Sequence, residues 1–146
     1  MQKTIEDFHA PGYEFLSNFY SCEVVHYGLR FGNAEAAFQA SKCACESDRF
    51  AFMPLNGAQA KRRGKRVALR RDWEAVKVRV MKEVVREKFT QNPDLAAKLL
   101  STESAVLCEK NAWHDTFWGV DMNGNGDNHL GKILMEIRDE LRNYRQ

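Results

Sequence analysis

Asn33-Ala34-Glu35-Ala36-Ala37-Phe38-Gln39-Ala40-Ser41-Lys42-Cys43-Ala44-Cys45 is the stretch on which the reading of this chain turns. Taken as a helix, it is small or apolar around most of its circumference. Its strongly polar interior residues, Glu35, Gln39 and Lys42, fall at i, i+4 and i+7 and form one narrow stripe. A surface helix carries a broad polar face, so this one is expected to be buried, with a thin seam that faces something. A carboxylate and an amine are costly to bury without partners. A water-filled or substrate-filled cleft removes that cost, which points to an enzyme. Two turns put Glu35 and Lys42 about 10 Å apart along the axis, a spacing that brackets a substrate better than it makes an ion pair. A solvated polar edge on an alanine-rich helix is the competing reading.

Outward from this stretch, Asn33 is a natural N-cap. Before it, Glu23–His26 and Leu29–Phe31 read as two short strands joined by a turn at Tyr27-Gly28. Residues 13–20 read as an extended piece with a turn at Ser17-Asn18. After the seam come a short helix near Asp48–Met53 and another, capped by Asn56, that ends at Gly64. The clearest helix starts at Asp72 and runs to about Phe89, with Trp73, Val76, Val80, Val84 and Met81, Val85, Phe89 in two adjacent i+4 rows. Asn92-Pro93 reads as a capping residue followed by proline at the first helical position. Ala105–Cys108 reads as a strand, residues 111–128 as a Gly- and Asn-rich loop, and 128–144 as a last helix buried through Leu130, Ile133, Leu134, Ile137 and Leu141. The expected fold is α+β: a helix-rich single domain over residues 1–146 with a small antiparallel sheet.

The bulk numbers agree with one soluble domain. The chain has 146 residues, 44% hydrophobic and 29% charged, with a net charge of only +2. That total demands neither a nucleic acid nor a membrane as partner. No apolar run is long enough to span a bilayer, and the polar start Met1–Asp7 lacks a signal-peptide core, so the expected location is cytoplasmic. The four cysteines, Cys22, Cys43, Cys45 and Cys108, read as free thiols rather than a disulfide framework or zinc site. Asp121–Asn128 has the composition of a calcium loop, but the position that needs a glutamate is Lys132. No metal and no cofactor is expected.

Two further segments carry chemistry. In His114-Asp115-Thr116-Phe117-Trp118-Gly119 a carboxylate stands among aromatic residues, Trp113 included, an arrangement that suits acid catalysis. The alternative is an aromatic plug with Asp115 satisfied by backbone amides. Lys61-Arg62-Arg63-Gly64-Lys65-Arg66, followed by Arg70-Arg71, is a basic run fit for a phosphate or, less specifically, for a nucleic-acid backbone. His9, His26 and His129 stand alone and read as structural.

Four motifs in order resemble one family. They are Phe15-Leu16-Ser17-Asn18-Phe19; Glu35 with Phe38-Gln39-Ala40-x-Lys42; Arg70-x-Asp72-Trp73-x3-Lys77-x3-Met81 running into Lys88-Phe89; and Asp115-x-Phe117-Trp118-Gly119 followed by Gly126-x-Asn128-x-Leu130-Gly131-x-Ile133-Leu134-Met135. This pattern resembles the NADAR, or YbiA-type, family from about residue 13 to the last helix. The resemblance implies an N-glycosidase acting on ribosylamino compounds. One branch hydrolyses phosphorylated early intermediates of riboflavin biosynthesis, and another removes ADP-ribose from guanine. It implies catalytic roles for Glu35, Trp73 and Asp115, and for Lys42 at the sugar carbon. Asn18, Phe19, Gln39, Trp118 and Asn128 are the expected substrate-binding residues, joined by Arg66 and Arg70 for a phosphate. One departure is Ala36, where many members carry histidine. The expected partner is therefore a small phosphorylated ribosylamine or ADP-ribosyl compound, with nucleic acid as a conceivable carrier. A non-catalytic nucleotide- or nucleic-acid-binding module built on the basic run is the rival reading.

Overall fold

The computed structural model describes residues 2–144. The chain resolves into two compact units, one made of residues 18–92 and the other of both ends, up to Ser17 and from Pro93 onward.

Unit 18–92 holds the expected hairpin. Strands β2 (Val24–His26) and β3 (Leu29–Phe31) pair antiparallel with Val24 opposite Phe31 and His26 opposite Leu29. Tyr27 and Gly28 both have positive φ, 49° and 80°, as the tight turn between strands of this twist requires. β2 packs on helix α3 (Trp73–Gln91). The Gln91 side-chain amide reaches back to both the N–H and the carbonyl of Val25, at 2.7 and 2.8 Å, and so satisfies the open strand edge. Helix α1 (Ala34–Ala40) lies against α2 (Gly57–Gly64), α3 and the 3-10 segment Glu46–Phe52. Asn56 and Gln59 cap α2 reciprocally. The apolar rows of α3 are buried as its spacing predicts, and Lys88 is buried with them. Its ammonium lies 5.7 Å from the Tyr20 ring and 5.1 Å from the Phe89 ring.

The unit formed by the two ends is held by a parallel pair, β1 (Thr4–Ile5) with β4 (Val106–Leu107). Helix α5 (His129–Tyr144) packs on β4 and on α4 (Pro93–Ser101), burying Leu130, Ile133, Leu134 and Ile137. The buried Arg138 guanidinium donates to Thr102 Oγ1 and to the Ala105 carbonyl, both at 2.9 Å.

Several expectations need correction. The sheet content is not only antiparallel, because β1 pairs parallel with a partner about a hundred residues away, and a two-residue strand is too short to show a period. Residues 14–16 form a 3-10 turn rather than an extended piece. Asn92 does not cap α4: its amide donates to Lys88 O and Glu23 O, closing α3 instead. The helix of the opening stretch is seven residues long and ends at Ala40 rather than Cys45.

Candidate functional site

The seam is assembled by capping. Asn33 Oδ1 accepts from Ala36 N at 2.8 Å and so starts α1. Glu35 N–H, another unpaired donor of the first turn, donates to the Asn18 carbonyl at 3.0 Å. Asn18 itself is buried and its amide meets Met81 Sδ. Glu35 and Gln39 are 8% and 5% exposed, which excludes the solvated-edge reading. They touch as the i, i+4 spacing predicts: Gln39 Nε2 donates to Glu35 Oε1 at 3.0 Å. The other end of that amide, Gln39 Oε1, is buried without a hydrogen-bond partner among the described residues. It presses on α2 at Gly64, where an added Cβ would stand 1.9 Å from Oε1. Glycine at 64 is therefore what lets α2 approach the seam.

Lys42 lies beyond the helix. Ser41 Oγ bonds back to Ala37 O, and the chain then turns to pair Cys43 with Leu69. The Lys42 carbonyl accepts from Arg70 N at 2.9 Å. Lys42 is half-buried, and burial is the main cause that draws its amine below the ordinary lysine range. The charge of Glu35 pulls the other way, while Lys65 and Lys77 add to the lowering. The net effect is a fraction of neutral amine greater than a surface lysine has, within electrostatic reach of the buried Glu35 carboxylate.

Of the other expected residues in this unit, Trp73 is 5% exposed and packs on Phe38, with ring centroids 5.1 Å apart. Buried to that degree, it offers no open face for stacking. Phe19 is largely exposed and covers Gly57 at the start of α2. Arg70 is committed: its Nε and Nη2 hold both Asp72 oxygens, at 2.6 and 3.0 Å. Arg66 lines a groove between the Glu46–Phe52 segment and α2 whose walls contain none of Glu35, Gln39, Lys42 or Trp73. Neither arginine is thus placed as the phosphate holder at the seam. The influence of Lys65 and Lys77 on Lys42 was missed; it acts through charge, and Lys77 itself pairs with Glu74. Lys65 belonged to the basic run and Lys77 to the third motif, but no periodicity ties either to Lys42.

In the other unit, Asp115 Oδ1 accepts from Phe117 N and Trp118 N at 3.1 and 2.9 Å. Its backbone is clamped by the Asn111 side chain from both directions. The backbone-satisfied alternative therefore describes one of the two carboxylate oxygens. The expected wall of aromatics is incomplete. Trp113 is 48% exposed and stands edge-on to His9, whereas Phe117 packs between Trp118 and His129. Asn128 sits at φ 52° and uses both ends of its amide on the fold, accepting from Glu109 N and donating to Leu107 O, each at 3.0 Å.

A helix-rich α+β chain carrying a buried carboxylate–amide pair beside a perturbed lysine has the equipment of a covalent or acid–base hydrolase. The NADAR domain model matches residues 7–142. N-glycosidase YbiA of Shigella boydii is 36% identical over 146 residues, covering 97% of this chain and 91% of that protein. A riboflavin biosynthesis protein of Vibrio vulnificus is 37% identical over 94% of this chain, which spans only 38% of that protein's length. The NMR structure of Escherichia coli YbiA superposes with a TM-score of 0.87 at 35% identity, covering 99% of this chain and 89% of that one. The chain belongs to the NADAR family, an enzyme family whose curated relatives include N-glycosidases. Among the described residues, no helix is long and apolar enough to cross a membrane.

Proposed function

We propose that this protein hydrolyses the C1′–N bond of a phosphorylated ribosylamine, releasing ribose 5-phosphate, with Lys42 as nucleophile and Glu35 as the proton-handling carboxylate. The observation that carries the reading is the Glu35–Gln39 pair buried in α1 beside an amine that burial has made easier to deprotonate. The name of the Vibrio vulnificus relative supports the riboflavin-type substrate over the ADP-ribosyl one.

In a ribosylamine the lone pair on the exocyclic nitrogen expels the ring oxygen as that oxygen is protonated, giving an open-chain imine. Neutral Lys42 adds to C1′. The base-bearing nitrogen takes a proton and leaves as the free amine, so C1′ is now a lysine imine. Water adds to that carbon, the lysine nitrogen departs, and the sugar is freed as the aldehyde. Glu35 gives and recovers the proton through these steps, and Gln39 holds one of its oxygens still. Direct displacement through an oxocarbenium-like sugar needs a second carboxylate. Positive charge suited to a phosphorylated sugar comes to the Lys42 region first from Lys65 and less from Lys77, which pairs with Glu74.

The test is product release from the diaminopyrimidinone ribosylamine phosphate, with borohydride added during turnover. Wild type should release ribose 5-phosphate and gain the mass of the reduced sugar. Glu35→Gln should be severely slowed, and Lys42→Ala should yield no adduct. Full activity in Glu35→Gln, or turnover with no trappable adduct, would remove the assigned roles.

A further inference from the structure

The basic run does not serve the seam alone. A cavity of about 640 Å³ lies between the Glu46–Phe52 segment and α2, with Arg62, Arg63 and Arg66 along one side and Asp48 on the other. Among the described residues, none of these three guanidiniums makes an ion pair or hydrogen bond. Arg63 is steadied only by the Phe52 ring, 5.9 Å from its guanidinium carbon. Arg62 and Arg63 lie in the last turn of α2 and Arg66 just past its end, so three like charges line one groove and repel unless an anion lies among them. The floor is apolar, formed by Ala51, Leu55 and Val67.

We infer that this groove binds a nucleotide carrying at least two phosphates, at a site separate from the Glu35–Lys42 seam. Guanidiniums match phosphate oxygens in pairs and keep their charge at any physiological pH. Two or more phosphates are needed to engage three unpartnered guanidiniums. The apolar floor takes the flat face of a base. Asp48 repels phosphate and accepts from sugar hydroxyls, which sets the ligand's direction. The volume falls in the range of ordinary small-ligand sites. A concave pocket with one carboxylate and an apolar floor suits a small nucleotide better than a long polyanion, which a uniformly basic surface would serve.

The experiment is calorimetric titration of the intact chain with ADP, tripolyphosphate, adenosine and a single-stranded decanucleotide. ADP should bind saturably, more weakly as salt rises, and at least tenfold more tightly than tripolyphosphate or adenosine. Arg62→Ala/Arg63→Ala should lose at least tenfold in ADP affinity and keep wild-type ribosylamine turnover; these side chains are exposed, so the fold is not at stake. Lys42→Ala and Glu35→Gln should bind ADP as wild type does. No saturable ADP binding, or binding untouched by the double substitution, overturns the site. Tripolyphosphate binding as tightly as ADP, or displacement of ADP by the decanucleotide at lower concentration, overturns the nucleotide as its ligand. Because ADP binding is read without turnover, loss of the glycosidase reading would leave this result standing.

Discussion

Gly64→Ala tests the link between helix packing and chemistry. A Cβ at 64 would meet Gln39 Oε1 at 1.9 Å and the amide carbon at 2.7 Å. The struck atoms are the end of a side chain, so the Gln39 amide swings and α2 stays in place. Swinging it breaks the Nε2–Oε1 hydrogen bond that fixes Glu35. A hydrogen bond to a charged group contributes about 1.5–3 kcal/mol, which corresponds to a loss of about tenfold to a hundredfold in kcat/KM if it acts on the transition state. Stability should move little. Alanine is favoured over glycine in a helix by up to about 1 kcal/mol, against a crowding cost of similar size. The assay is ribose 5-phosphate release at low substrate, with thermal melting alongside. Gln39→Ala should lose a similar factor, and Gly64→Ala/Gln39→Ala no more than Gln39→Ala alone, because both act through one contact. A fully active Gly64→Ala protein, or losses that simply add in the double variant, would refute the role given to Gln39.

Three other outcomes are expected. The rate on the ribosylamine should rise with pH as the Lys42 amine deprotonates, with its inflection below the ordinary lysine range; Lys65→Ala should move that inflection upward, since its charge contributes to the lowering. Burial holds Lys88 at about 8 rather than 10.5. The cost of the buried ammonium is therefore fully present below pH 8. It is relieved between about 8 and 10.5 as the folded chain releases the proton first, so unfolding free energy climbs over that window by about 3 kcal/mol. Urea melts should show the climb in wild type and its loss in Lys88→Met. Asn128→Ala should cost about 2–4 kcal/mol in the same assay, because it removes two hydrogen bonds and leaves alanine at φ 52°; an unchanged midpoint would return Asn128 to the substrate.

The helices were legible wherever burial imposes a period. Both i+4 rows of α3 are buried as spaced, the apolar side of α5 is buried except for the half-exposed Leu141, and Asn33 and Asn56 cap as their positions require. Glu35 and Gln39 were legible because one turn of helix brings them together with no help from elsewhere. Most of what failed was decided by distant parts of the chain; the Arg70–Asp72 pair, two residues apart, is the local exception. The Leu69 bridge halts α1 before Lys42. Asp72 engages the Arg70 guanidinium that the sequence offered to a phosphate. Residue 66 turns toward the Glu46–Phe52 segment rather than α1. The charges of lysines 65 and 77 are felt at Lys42 because of the fold, not because of spacing.

Lys42 shows why the seam holds both charges. Burial alone would push the amine toward the neutral form at the expense of stability, since the ammonium is what water favours. Glu35 opposes that shift and keeps the proton within reach; Lys65 and Lys77 oppose Glu35. The result is an amine poised between two states by groups of opposite sign, not one driven to either. A nucleophile that must attack as a base and later leave as an acid needs that balance. Neutral Lys42 is required for addition to C1′, and a proton must return to its nitrogen before the imine is released. Replacing Glu35 would favour the first requirement and impair the second, so the loss of rate should fall on release of the sugar more than on formation of the adduct.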